Sequence, residues 1–430
     1  SGRKPKSAEK RRHGSFLCAG GRAVMMQGPV VIVGAGHAGF QVAASLRQHG
    51  FSEPVHLIND EGHLPYQRPP LSKAYLKGTG GPETLMFRPG KFYHDQTIAL
   101  VQGRVVAIDR TARKLQLASG DRLAYGHLVL ATGARNRLID IPNANLPDVR
   151  YLRILDDSED LRSRLASKKR VVVIGAGFIG LEFAATARIK GLEVDVLELA
   201  SRVMARAVTA EVSEYFQARH AAAGIRIHLG VQATAIQAEG DQVTGVSLSD
   251  GRHIPADLVV VGVGVLPNVE LAANAGLPVA SGIIVSEHLL TSDPHISAVG
   301  DCAFFASPRF GGSLRLESVQ NATDHARCVA ARLTGDDKPY DGHPWFWSDQ
   351  GDDKLQIAGL TTGYDRVVLR GDPAQKAFSA FCYRGEQLVG IESVNRAGEH
   401  MFGRRLFAAG GSIAPEQAVD QNFDLKKALA

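Results

Sequence analysis

Two sets of glycines spaced G-x-G-x-x-G are the residues of this chain best suited to chemistry, and that chemistry is phosphate binding. Gly34, Gly36 and Gly39 lie in PVVIVGAGHAGFQVAASLRQHG, and Gly175, Gly177 and Gly180 lie in RVVVIGAGFIGLEFAATARIKG. The first glycine of each set permits a tight strand-to-helix turn and the second lets backbone approach a pyrophosphate. The third lets helix pack on strand. The helix that follows offers free N–H groups and about half a positive charge to the phosphates. One such match is a weak signal, because glycine turns without ligands are common. Two matches, each followed by a strand ending near an acid, point to two dinucleotides, most economically a flavin and a nicotinamide.

Four further residues have types and places that suit such a site. Glu198 ends the run LEVDVLE, where a carboxylate accepts hydrogen bonds from ribose hydroxyls. It would repel a 2′-phosphate by roughly 1–4 kcal/mol, depending on dielectric, which predicts NADH over NADPH by about tenfold or more. Arg202 and Arg206 follow closely, either softening that preference or standing as solvated loop arginines. In the first unit the strand PVHLIND ends at Asn59, Asp60 and Glu61, and a proline-stiffened loop, HLPYQRPPLSKAYL, then carries Lys73. An ammonium held there would steady negative charge on a reduced flavin ring; from spacing alone an ordinary surface lysine is the competing reading. HISAVGD is a short apolar strand presenting Asp301 at its C-terminal tip, where α/β ligands gather, with a plain turn aspartate as the alternative. Glu182 falls in the first turns of the second glycine helix, a place that favours acids in any case. Trp347 reads, taken alone, as a core tryptophan.

The elements that must hold these residues follow from pattern and size. At 430 residues, 44% hydrophobic and 22% charged, the chain is expected to fold as two or three soluble domains. Its longest apolar runs, such as LVVVGVGVL at 258–266, are too short to span a bilayer and read as buried parallel strands. RVVAIDRTARKLQLASGDRLAYGHLVLATG suggests a hairpin region, and FSAFCY and QLVGIES suggest strands of a final sheet. The sequence pI of about 9.0 belongs to one end: residues 1–24 carry seven Lys or Arg against Glu9, so residues 25–430 stand at −1 within the chain's net +5. No nucleic-acid partner follows from such a balance. Residues 1–28 are expected to be a disordered basic extension or added leader, with Met25 or Met26 the candidate natural start. The four cysteines, Cys18, Cys302, Cys328 and Cys382, form no C-x-x-C or C-x₄-C pair, and residues 50–80 contain none. Disulfide exchange of the thioredoxin or glutathione type is thereby disfavoured, no zinc or iron–sulfur ligand spacing appears, and a reducing cytoplasm is expected.

PYQRPPLSKAYL, ATGARNR, FIGLE, TSDPHISAVGDCA, ESVQNA and FWSDQGDDKLQIAGL occur in this order. Together they resemble the putidaredoxin reductase family, the NADH-dependent ferredoxin reductases that serve cytochromes P450 and ring-hydroxylating dioxygenases. The resemblance runs from residue 29 to the C-terminus. It implies an α/β fold of glutathione-reductase type, with two Rossmann-like units for FAD and NAD and a C-terminal α+β domain. The expected ranges are 29–142 with 266–342 for FAD, 143–265 for NAD and 343–430 for the last domain. It implies FAD contacts at Ala38, Asp60, Lys73, Val106, Arg135, Asp301 and Val319 beside the first glycines. NADH contacts are implied at Ile179 and Glu198 beside the second. Lys73, Glu182 and Trp347 would stand nearest the reacting rings.

The cycle so implied converts a two-electron donor into single electrons for a [2Fe–2S] ferredoxin, with the cofactors supplying the chemistry. No protein nucleophile is needed. Ferredoxins are acidic, so a locally basic face is expected to steer docking, with Arg327 and Lys354 supported by family position and Arg309, Arg404 and Arg405 as further candidates. Rubredoxin is the alternative acceptor. A different class, an NADH-sensing binding protein resembling apoptosis-inducing factor, is disfavoured by the near-neutral remainder of the chain and by the compact region after FWSDQ.

Overall fold

The computed structural model describes residues 27–307 and 309–429. Expectations about residues 1–26 lie outside the described residues.

The first sheet is parallel and runs in the order 296–298, 127–130, 30–33, 55–59, 98–102. Its centre is apolar on both faces: Val30, Val31, Ile32, Leu128, Val129 and Leu130 are all at 0% exposure. Helix His37–Gln48 buries Ala38, Val42, Ala43 and Leu46, and it packs against helix Val319–Leu333. Strand Ile296–Ala298 and helix Val319–Leu333 reach this sheet from far along the chain. The expected hairpin region forms a small antiparallel sheet of Val105–Asp109, Lys114–Leu117 and Arg122–Ala124.

The second parallel sheet runs in the order 226–229, 193–198, 170–174, 258–261, 149–151. Helix Phe178–Ile189 covers one face, with Leu181, Phe183 and Ala184 fully buried. The apolar run 258–266 is not one strand. It breaks after Val261, and Val265–Pro267 pairs antiparallel with Ala134–Asn136 outside the sheet. Gly264, at φ +98°, turns the chain away.

Residues 345–394 form a five-stranded antiparallel sheet in the order 345–350, 353–359, 387–394, 377–384, 366–372. On one face Phe381, Leu388 and Ile391 cluster with Phe402 and Leu406 of helix Ala397–Ala408. On the other, Leu355, Phe378 and Ala380 cluster with Tyr215 and Phe216 of helix Ala210–Ala222, which belongs to the second unit. Sheets covered on both sides read as near-continuous apolar strands, as FSAFCY does. Buried charges interrupt this packing. Glu392, at 0% exposure, accepts from the N–H and the hydroxyl of Thr209, both at 2.9 Å, at the start of helix Ala210–Ala222. Burial pushes its carboxyl up to about 7. Arg370 gathers the carbonyls of Ala418, Asp420, Gln421 and Phe423 and pairs with Glu399 at 3.2 Å, fastening the C-terminal segment to the sheet.

Candidate active site and nucleotide turns

Both glycine turns have the geometry their spacing predicts. Gly34 and Gly175 sit at φ +106° and +107°. A Cβ on Gly39 would fall 1.8 Å from the Gly34 carbonyl oxygen, and one on Gly180 would fall 2.1 Å from that of Gly175. Only glycine permits this approach of helix to strand. The middle glycines face open space: nothing lies within 4 Å of a Cβ on Gly177, and only the Arg68 guanidinium, at 3.9 Å, approaches one on Gly36. Gly36 and Gly177 begin their helices with no side-chain cap, whereas Thr209 and Ser318 cap theirs with hydroxyls. The first-turn N–H groups at both turns are therefore left for an anion, and both turns fit a dinucleotide.

Around the first turn the charges are arranged to receive one. Arg153 pairs with Asp301 at 3.0 Å and donates to the Ala134 carbonyl at 2.9 Å, joining the VGD and ATGAR segments. Arg68 pairs with Glu61 at 2.5 Å and donates to the Arg153 carbonyl at 3.0 Å. Burial first, then the charges of Arg68 and Arg153, lower the His37 pKa to about 4, so this histidine is neutral. Ala38 lies against Gly300, whose Cβ would be 3.1 Å from that of Ala38, so Asp301 abuts the glycine turn. Asp60 is exposed directly after strand Val55–Asn59. At the second turn Glu198 accepts from the Ala176 and Ala200 N–H groups, each at 2.8 Å, which fixes its carboxylate over the turn beside exposed Ile179.

A cleft of about 610 Å³ gathers His37, Lys73, Phe87, Val319, Trp347 and Asp349. Lys73 forms its wall and pairs at 2.8 Å with Glu182, whose side chain is 1% exposed. Glu182 also accepts from the Ser72 hydroxyl at 2.5 Å and the Ser348 hydroxyl at 2.6 Å. A buried ion pair persists only where its remaining lone pairs are satisfied, and these hydroxyls satisfy them. The proposed trio of Lys73, Glu182 and Trp347 thus converges from three elements: the proline loop, helix Phe178–Ile189 and strand Trp345–Gln350. Trp347 is half-buried and stacks on Trp345 at 5.7 Å between ring centroids, a place at the cleft rather than in the core.

Of the sequence candidates, Lys73, Val319 and Trp347 line this cleft and the others do not. Val106 is 46% exposed on the small antiparallel sheet. Arg135 is exposed and bonded to Asn268 at 2.9 Å and Glu270 at 2.7 Å. Arg327 and Lys354 are exposed, beside Asp324 at 3.1 Å and Asp349 at 3.7 Å respectively. Sequence reasoning missed His37, Arg68, Ser72, Arg153 and Ser348. Arg68 and Ser72 lay within the quoted proline loop and His37 within the first glycine motif, so their positions were available.

The sequence pattern of the pyridine nucleotide-disulphide oxidoreductases matches residues 28–326, and a reductase C-terminal pattern matches residues 345–429. The chain belongs to this family. Rhodocoxin reductase of Rhodococcus erythropolis is 51% identical over 402 residues, 93% of this chain and 94% of that protein. Putidaredoxin reductase of Pseudomonas putida is 42% identical over 407 residues, 93% of this chain and 96% of that protein. Among solved structures, the ferredoxin reductase for the CYP199A2 system of Rhodopseudomonas palustris superposes with a TM-score of 0.93 at 70% identity, covering 94% of this chain and all of that one. Putidaredoxin reductase in its covalent complex with putidaredoxin gives 0.91 at 41% identity, covering 94% and 98%. The family is named for disulphide chemistry, yet this cleft holds a lysine and a carboxylate. Cys302 and Cys382 are buried elsewhere, and Cys328 lies on helix Val319–Leu333.

Proposed function

We propose that this chain is an NADH-dependent ferredoxin reductase, holding FAD at the first glycine turn and NADH at the second. Its electrons go to a [2Fe–2S] ferredoxin that feeds a cytochrome P450 or a dioxygenase. The observation that carries this reading is the cleft beside His37 of the first turn, where Lys73, paired with Glu182 on the helix that opens at the second turn, shares the lining with Trp347. Near-full-length similarity to rhodocoxin, putidaredoxin and ferredoxin reductases supports a ferredoxin as the acceptor. Bound FAD supplies hydride acceptance from NADH and release of single electrons. The chain's own residues do the rest. Gly34, Gly36, Ala38 and Gly39 receive the FAD diphosphate, helped by the positive field of Arg68 and Arg153. Asp60, Val106, Arg135, Asp301 and Val319 contact its other parts. Gly175, Gly177, Ile179 and Gly180 receive NADH, and Glu198 takes its ribose. Lys73 presents an ammonium to the cleft, Glu182 holds it there, and Trp347 walls the cleft against water.

The domain ranges follow the same division: 29–142 with 266–342 for FAD, 143–265 for NADH and 343–430 for the C-terminal sheet and its helix. Arg327 and Lys354 are the docking candidates, and a cytoplasmic place suits a partner of P450 systems. No described helix is long and apolar enough to cross a membrane. The test is anaerobic stopped flow: the flavoprotein is reduced with NADH and mixed with oxidised [2Fe–2S] ferredoxin or with rubredoxin at several salt concentrations. Fast transfer to ferredoxin that weakens with salt is expected; transfer to rubredoxin alone would replace the acceptor. Lys73→Ala is expected to slow reduction by NADH, and an unchanged rate would remove Lys73 from its role.

A further inference from the structure

Strand Trp345–Gln350 alternates its faces, as strands must. Trp347 and Asp349 line the cleft, while Ser348 and Gln350, at 0% and 3% exposure, point the other way into the protein. Ser348 donates to Glu182 Oε1 at 2.6 Å, and Ser72 and Lys73 occupy Oε2. Among the described residues Ser348 is the side-chain partner of Oε1. A hydroxyl at this distance from a carboxylate makes a short, charge-assisted bond. Ser348 is itself braced, since Gln350 approaches its hydroxyl at 3.3 Å and is held by His220 of helix Ala210–Ala222 at 2.8 Å.

We infer that Ser348 is a positioning residue that fixes Glu182 and, through it, the Lys73 ammonium, so that the C-terminal sheet completes the charge pair of the cleft. The proline loop brings Lys73 and Ser72, and the second nucleotide unit brings Glu182. Without the Ser348 hydroxyl one carboxylate oxygen is buried with no side-chain partner among the described residues, and the ion pair loses its fixed orientation. One strand therefore places the tryptophan on the cleft and sets the cation opposite it. This inference rests on the proposed reaction for its consequence, but the Ser348–Glu182 bond itself does not.

The experiment uses FAD-loaded full-length protein as wild type, Ser348→Ala, Ser348→Thr, Glu182→Gln and the Glu182→Gln/Ser348→Ala double variant. Two quantities are read: the rate of flavin reduction across NADH concentrations, and the urea midpoint of unfolding. Ser348→Ala is expected to lower the limiting rate by about 10-fold or more with little change in half-saturating NADH. Ser348→Thr, which keeps the hydroxyl, restores it. In the Glu182→Gln background, where the ion pair is gone, Ser348→Ala lowers the limiting rate no further and lowers the midpoint less than in wild type, because a neutral amide oxygen accepts a weaker bond than a carboxylate. Equal losses from Ser348→Ala in both backgrounds would overturn the inference, as would a full limiting rate in Ser348→Ala. Failure of NADH to reduce the wild-type flavin would sink the proposed reaction instead, while the midpoints would still test the Ser348–Glu182 coupling.

Discussion

Replacing Glu392 by Gln tests how the C-terminal sheet is fastened to the second nucleotide unit. Glu392 is fully buried, and burial raises its carboxyl from an ordinary 4.5 to about 7, with Glu211 nearby adding in the same direction. Between those two pH values the folded protein holds a proton that the unfolded chain has released. Stability therefore falls as pH rises through this window, by about 3 kcal/mol in all. Glutamine is neutral at every pH, and its carbonyl oxygen can still accept from the Thr209 N–H. One hydrogen bond, from the Thr209 hydroxyl, is weakened at a cost of about 1 kcal/mol. At pH 8 the variant is expected to be more stable than wild type by about 2 kcal/mol; at pH 5 it should be slightly less stable. The assay is urea unfolding in excess FAD at pH 5, 6.5 and 8, with tryptophan fluorescence and circular dichroism required to coincide. A variant with the same pH slope as wild type would refute the reasoning, because Glu392 would then be ionised throughout and held by Thr209.

Three further outcomes are expected. Glu198→Ala should narrow the NADH to NADPH preference by about tenfold, measured as the ratio of kcat/KM values; an unchanged ratio would separate Glu198 from the ribose. Arg370→Met should free the C-terminal segment from four carbonyl anchors, destabilising the protein by about 3 kcal/mol and exposing residues 415–429 to limited proteolysis. Persistent protection of that segment would show that its apolar contacts suffice. Gly180→Ala places a Cβ 2.1 Å from the Gly175 carbonyl oxygen, so NADH binding should be lost while the protein stays yellow; a normal NADH affinity, read by titration, would contradict the close-packed turn.

What was legible in the sequence was local. Gly34, Gly39, Gly175 and Gly180 need short contacts within one strand–turn–helix unit, and their spacing encodes those contacts directly. Glu198 was readable for the same reason, being the end of the next strand. Lys73 and Trp347 are different, since their separation in sequence gives no distance, and only the order of motifs linked them. Ser348 and Arg153 escaped because their partners come from other units. Alternation along FWSDQ says that Ser348 opposes Trp347, but not that the opposing face meets Glu182. Arg153 lies between recognisable elements and acts by joining two of them. The run 258–266 misled because apolar composition alone does not reveal that Gly264 turns the chain out of the sheet.

The split first sheet also constrains how the chain is made. All five strands of the second sheet lie between residues 149 and 261, so a growing chain holds that sheet complete soon after Val261 leaves the ribosome. The first sheet then still lacks its edge strand at 296–298 and the helix at 319–333 that packs on helix His37–Gln48. Strand 127–130 waits with one edge unpaired for about two-fifths of the chain to be added, and the apolar face of helix His37–Gln48 waits for more than three-fifths. Such long-range closure is slow and leaves surface open to aggregation. The glycine turn between Val33 and His37 is among the first structures to be encoded, yet the Asp301 turn that abuts it is among the last of the site to arrive.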